Sequence, residues 1–509
     1  MNLSQFFEHW RIAENPFRGE EARHDGVFAR MASSAGTAAH SDFEKILGDV
    51  SQPSTSIVFG EKGSGKTAIR MQIAGAVEKH NATHPERATL LLAYDDLNAM
   101  LDAYHAAEGG GDASETLKTM RLVDHVDGLL AVAVNTLTTA VLGPPETAGR
   151  LLGREDAAKR LRKSPRETRL EMLLLQAIYD RGDAAASRTR RLRRKLGLGP
   201  TRRFISSALI VALGALPAAG AFYLWLMAGL QGWQQDAALY AFAALAAAYV
   251  LALAKVFLLD RFTTSRIARR VRKQLRVIGR TDASFAASLE RLDSAWRSAD
   301  TLPLDDSDDT RYALLAKFRR VTSALGFSGV IVVVDRVDEP TLVSGDADRM
   351  RAIIWPMLNN KFLQQDGLGF KLLLPVDLRH ALFKESAAFF QEARLDKQNL
   401  VERLSWTGAM LYDLCDARLT TCRAPGEAEP ITLLDLFAED VTRQDLVDAL
   451  DQMHQPRDAF KFLYHCLTEH CSNVTAEQGE WRIPRLVLEQ VRKREVDRLQ
   501  QLYRGIRPA

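Results

Sequence analysis

Two stretches without a charged side chain, residues 204–235 and 237–254, lie side by side near the middle of the 509-residue chain. The hydrocarbon core of a bilayer is about 30 Å thick and takes roughly 20 helical residues at about 1.5 Å each. Both stretches reach that length if Lys255 sits near an end. Lipid offers no partner for backbone N–H and C=O groups, so each is expected as a helix. A charge at mid-bilayer costs roughly 2.5–3.5 kcal/mol on insertion scales, and the first stretch carries none. Lys255, close to Asp260, can extend its ammonium to the headgroups. The connection 231–236 is too short for a domain, which predicts a two-helix hairpin over 204–259. Pro217, with Gly214 and Gly220, predicts a tolerated kink in the first helix.

The flanks give an orientation. Arg188, Arg190, Arg191, Arg193, Arg194, Lys195, Arg202 and Arg203 precede the hairpin; Arg261, Arg266, Arg269, Arg270, Arg272, Lys273, Arg276 and Arg280 follow it. The tight turn has no Lys or Arg. Short basic loops stay cytoplasmic, so both soluble parts are expected on the cytoplasmic side of a cell inner membrane, with Trp225 and Trp233 near the far interface. A buried hairpin in a soluble core is the bland alternative, and two basic clusters bracketing an uncharged pair argue against it. The net charge of +3 hides this local asymmetry. Anionic lipid is the expected partner of the arginines. Nucleic acid is not, because aromatic residues do not alternate with them. Residues 1–18 lack an apolar core with a cleavage site, so insertion is expected to rely on the internal hairpin. Cys415, Cys422, Cys466 and Cys471 suit a reducing compartment. With His465 and His470 they fit no common zinc spacing.

A second constraint lies upstream. Ser56, Ile57, Val58 and Phe59 read as an apolar strand that feeds Gly60, Glu61, Lys62, Gly63, Ser64, Gly65, Lys66 and Thr67, followed by the helical run 68–77. This is GxxxxGK[ST] in the strand, loop, helix context that a phosphate loop requires. The glycines let the backbone approach phosphate, and successive N–H groups gather at a helix N-terminus that favours anions. Lys66 is expected to reach the β- and γ-phosphates of ATP, and the Thr67 hydroxyl to bind Mg²⁺.

The second half of such a site needs a carboxylate on a buried neighbouring strand. The β-branched run 329–334 ends in Asp335, at the strand tip where ligands bind in open parallel sheets. Asp335 is the expected Mg²⁺ carboxylate. Of Asp338 and Glu339, one could polarise the attacking water; Glu339 is favoured, and Asp338 stays an equal-geometry rival. The two halves stand on either side of the hairpin.

The run Asp335, Arg336, Val337, Asp338, Glu339 resembles the D-x-h-D-E motif of NACHT and KAP branches of STAND ATPases. KAP ATPases are similar also in having membrane helices between the two motifs. Arg336 departs from the small residue usual in NACHT proteins. Glu14, Asn15, Pro16 and Phe17, with Asp42, Phe43 and Glu44, resemble the lead-in of membrane-anchored secretion-pathway ATPases of origin-recognition AAA+ type, which would bring Phe17 beside the adenine. By the same resemblance, Asp377 and Arg379 at the end of the buried strand 369–375 take the place of sensor 1. Gln455, Pro456, Arg457 and Asp458 resemble the lid motif whose arginine (Arg457) contacts the γ-phosphate; a plain helix start with proline in its first turn is the rival reading. Arg394 or Arg403 would be the finger reaching a neighbouring subunit.

The expected fold is therefore α/β: a P-loop NTPase (AAA+/STAND-like) parallel sheet with a helical lid and an inserted transmembrane hairpin. Its parts are the first half of the ATPase domain (1–110), a helical insert (111–203), the hairpin (204–259), a helical return stalk (260–310), the second half of the ATPase domain (311–400), and a lid with a C-terminal helical or winged module (401–509). Residues 88–94 are expected as a strand beside these motif strands, and residues 305–309 as a helix cap. The expected activity is ATP hydrolysis that switches conformation or assembly, as a homo-oligomer or with an effector protein. Kinship implies prokaryotic signalling or defence. The alternative is an ATP-binding membrane scaffold with little or no turnover; a transport motor is disfavoured, since one hairpin offers no translocation path.

Overall fold

The structure, a computed structural model, describes residues 1–18, 22–33, 40–182, 184–227, 232–298, 300–423 and 431–503. Residues 425–430, which the sequence predicts as a loop bounded by Pro425 and Pro430, and residue 231 of the hairpin connection lie outside them. The fold is α/β, built on one five-stranded, all-parallel sheet: β1 (Ser56–Gly60), β2 (Ala88–Tyr94), β3 (Phe327–Val334), β4 (Leu368–Pro375) and β5 (Asn399–Val401), in the order β2-β3-β4-β1-β5.

Parallel strands need crossovers that cover both faces, so their sequences run apolar without alternation. In β3, Val330, Val332 and Val334 face one core while Ile331 and Val333 face the other. The smaller core also holds Ile69, Ile73 and Val77 of the helix Lys66–Thr83. The larger one takes in the helices Leu122–Leu142 and Arg166–Tyr179. The expected helical insert thus shares the core of the sheet.

Three observations differ from expectation. β3 does not touch β1, because β4 lies between them. Its register, Val334 beside Leu372 and Pro375 beside Gly60, still brings the ends of β1, β3 and β4 to one edge of the sheet. β5 is a strand where the sequence from Asp396 onward predicts helix; three residues are too short to show a period. The stalk 261–296 is not continuous, for the helix Asp260–Gln274 ends and Asp282–Leu289 folds back along it.

A third core joins the two ends of the chain, with Phe6, Ile12 and Phe17 packed among Leu411, Leu463, Leu488 and Val491. It carries the helices Gly408–Thr421, Pro456–Asn473 and Arg485–Tyr503.

Among the described residues, three helices are long and apolar enough to cross a membrane: Leu122–Leu142, Ile205–Leu226 and Trp233–Gln274. The first is mostly buried within the fold, whereas the apolar windows of the other two are almost wholly exposed. Leu216 is 62% exposed and Leu251 70%. These two pack against each other, with Phe222 and Phe242 ring centroids 5.3 Å apart. Ile205–Leu226 is interrupted at Gly214, between the segments Arg202–Leu213 and Leu216–Met227, near the expected kink. A Cβ at Gly214 would lie 2.3 Å from the Ile210 carbonyl oxygen and 2.7 Å from the Tyr249 ring. The partner helix contains a π-turn, Lys255–Leu259, in which the Asp260 N–H donates to the Lys255 carbonyl five residues back.

Candidate functional site

β1 ends at Gly60, and the next five residues turn before the helix Lys66–Thr83 begins. Gly63 (φ +99°) and Gly65 (φ +95°) take left-handed conformations that disfavour other residues. The Ser64 hydroxyl closes the turn by donating to Glu61 O at 2.9 Å. The Lys66 ammonium lies back over the loop, donating to Gly60 O at 2.7 Å and Glu61 O at 3.0 Å. Burial lowers its pKa, against the opposing pull of Asp335, Asp338, Asp377 and Glu61.

Asp335 follows β3 directly and is 1% exposed. Its Oδ1 accepts the Arg336 N–H at 2.9 Å, while Oδ2 is buried without a hydrogen-bond partner among the described residues. Burial raises its pKa, and Arg70 and Lys66 oppose that rise. Such an orphaned oxygen indicates a missing partner. Arg336 has φ +61°, and its guanidinium pairs with Glu339. Glu339 is exposed and Asp338 half-buried.

A cavity of about 390 Å³ joins these pieces, within the range of small-molecule sites. It is lined by Gly60, Glu61, Lys62, Gly63, Gly65, Lys66 and Thr67 from the loop; by Asp335, Asp338 and Glu339; by Asp377; and by Arg457. Two segments more than 260 residues apart in sequence therefore meet at one sheet edge. Among the described residues no group of three or more His, Cys, Asp or Glu could hold a metal ion. A magnesium site of the nucleotide type relies mainly on phosphate oxygens and water, with one or two protein ligands. Thr67 and the free Oδ2 of Asp335 fit that donor set.

Other expected residues lie elsewhere. Phe17 is buried in the third core, and Phe28 lines the cavity in its stead, with Leu414 and Phe460. Arg379 pairs with Glu402 at 2.9 Å and does not line the cavity. Arg394 pairs with Asp396 at 3.3 Å, while Arg403 reaches Glu61 of the same chain at 2.6 Å. The four cysteines are buried free thiols, and burial pushes Cys422 up to about 11.

Several contacts at the site carry no local signal in the sequence. Gln455 caps the helix Pro456–Asn473 and donates to Glu61. The Trp406 indole donates to Ser64 O at 2.9 Å and meets His40 edge-on. Arg70 pairs with Asp95 at the end of β2 at 2.7 Å. Arg418 bonds Pro16 O at 2.7 Å and pairs with Asp25, also at 2.7 Å, which joins the two chain ends beside the cavity.

Comparison of the chain with family models, with curated proteins and with solved structures finds no match.

Proposed function

We propose that the chain is a membrane-anchored P-loop ATPase in which nucleotide sets the position of the C-terminal helices against the sheet. One observation carries the reading: a glycine-rich turn ending in Lys66 and Thr67 shares a cavity with a buried carboxylate that has an unused oxygen. The loop N–H groups and Lys66 would bind the phosphates, and Thr67 with Asp335 would hold Mg²⁺. Bound there, Mg²⁺ would neutralise phosphate charge. Glu339 is the favoured residue to take the water proton, with Asp338 its rival. Arg457 and Gln455 bring the C-terminal helices onto the loop, so that a phosphate-dependent shift of either would move the other. Such coupling requires ATP to bind the two arrangements with different affinity.

The exposed apolar pair supports anchoring in a cell inner membrane, with both soluble parts cytoplasmic by the basic flanks. A homo-oligomer or an effector protein is the proposed partner. A role in prokaryotic signalling or defence rests on resemblance to KAP-type STAND ATPases alone.

The second reading, an ATP-binding scaffold, is favoured by the Arg336–Glu339 ion pair, which engages the favoured base. Turnover by the full chain in detergent separates the two. On the ATPase reading, wild type hydrolyses ATP, Lys66→Ala loses binding and turnover, and Glu339→Gln keeps binding while losing turnover. ATP binding without turnover in the wild type supports the scaffold. Hydrolysis unaffected by Glu339→Gln but lost in Asp338→Asn moves the base to Asp338.

A further inference from the structure

A second cleft, of about 630 Å³, lies at the base of the long exposed helix and shares no residue with the phosphate-loop cavity. Arg269, Arg272 and Lys273 line it from the helix Asp260–Gln274; Arg276 lies just beyond, and Arg121 comes from the far wall. The spacing 269, 272, 273 keeps these three side chains on one helical face, and the turn after the helix brings Arg276 to the same cleft. Only two carboxylates, Glu108 and Asp282, complete the charged lining among the described residues.

Those carboxylates are shared out thinly. Asp282 alone meets both Arg269 at 3.6 Å and Arg272 at 3.2 Å. Glu108 meets Arg276 at 2.9 Å. Outside the lining, Asp124 pairs with Arg276 at 2.7 Å and Asp306 with Arg121 at 2.6 Å. Lys273 has no side-chain partner among the described residues. A concave wall with unmatched positive charge and guanidinium forks suits the oxygens of several phosphoryl groups.

Lipid and soluble phosphates share that chemistry, and distance separates them. On the membrane reading above, the bilayer ends near Asp260. Arg269 then lies about 14 Å and Lys273 about 20 Å further along the helix. A headgroup layer is roughly 5–8 Å deep, which Arg261 can occupy; Arg266, about 9 Å along, stands at its outer edge, and the cleft lies beyond it. We propose that this cleft binds a soluble, multiply phosphorylated anion, a second ligand separate from the nucleotide at the phosphate loop. Its phosphoryl groups take the places of Glu108 and Asp282 on the arginines.

The test uses full-length protein in phosphatidylcholine nanodiscs, with tripolyphosphate binding followed by calorimetry. Lys66→Ala, which removes the phosphate-loop lysine, is expected to retain one binding event. Adding Arg269→Ala and Lys273→Ala to it should weaken that event by about tenfold or more. Equal affinity in the presence and absence of those two substitutions overturns the proposal. So does the absence of any binding event in Lys66→Ala, including the case in which the two substitutions lower only attachment to phosphatidylglycerol vesicles, which would make lipid the ligand. If the phosphate-loop reading is wrong, the wild-type and Lys66→Ala titrations coincide, and the effect of the two cleft substitutions still decides.

Discussion

Lys371 shows how far one residue can depart from its surroundings. It lies on β4, beside Ser56 of β1 and Val333 of β3, and is fully buried, with its Nζ donating to Ser54 O at 2.8 Å. Burial pushes the ammonium down to about 7, whereas an unfolded lysine titrates near 10.4. Between those values the unfolded chain holds more protons than the folded one, so stability rises with pH there and the gain is lost as pH falls toward 7. The slope is at most about 1.4 kcal/mol per pH unit. Urea unfolding at pH 7, 8 and 9 should show it in the wild type and not in Lys371→Met; a slope unchanged by the substitution would contradict the assignment. The same scale shows what was legible in the sequence. Gly60, Lys66, Thr67 and Asp335 could be named because each sits at a fixed offset from an apolar strand. The contacts that Gln455, Trp406 and Arg418 make to Glu61, Ser64 and Pro16 could not, because they depend on segments that only folding brings together.

At the scale of elements, the C-terminal helices meet the glycine-rich loop at its tip. A Cβ at Gly63 would sit 2.9 Å from Gln455 Oε1 and 3.2 Å from Arg457 Cβ. Gly63→Ala therefore carries two penalties: about 1–2 kcal/mol for a left-handed backbone, and displacement of the helix Pro456–Asn473. ATP affinity, measured with a fluorescent analogue, should fall by tenfold or more on the scale of about 1.4 kcal/mol per decade. An affinity within twofold of wild type would mean that the contact between helix and loop is dispensable. The strands and the apolar pair were readable because their hydrophobic runs are long. β5 was not, since its place is set by pairing with β1. The break in the expected stalk follows from residues 275–281, where Leu275, Val277 and Ile278 turn into the larger core.

Taken as a whole, the chain closes on itself twice: its ends join in the third core, and the two motif segments meet across β4. The exposed hairpin leaves and re-enters this body through basic segments. A cysteine replacing Gln234 should react with an impermeant maleimide only from outside intact cells; reaction only after permeabilisation would place that turn on the cytoplasmic side. On the return path, Arg276 grips Asp124 through two hydrogen bonds of 3.1 and 2.7 Å. Arg276→Ala leaves the buried Asp124 without its guanidinium, though still accepting the Arg121 N–H at 2.9 Å, and should cost up to about 3–5 kcal/mol, seen as a lowered unfolding temperature. The π-turn Lys255–Leu259 lies where the apolar part of the long helix gives way to the basic part. One extra residue in a helical turn advances everything beyond it by about 100°. It therefore sets the rotational phase between the side of the rod that meets the first apolar helix and the side that meets the sheet-bearing body. Excising a single residue there would leave both ends intact and aim them in different directions, like a crank keyed one tooth out of step.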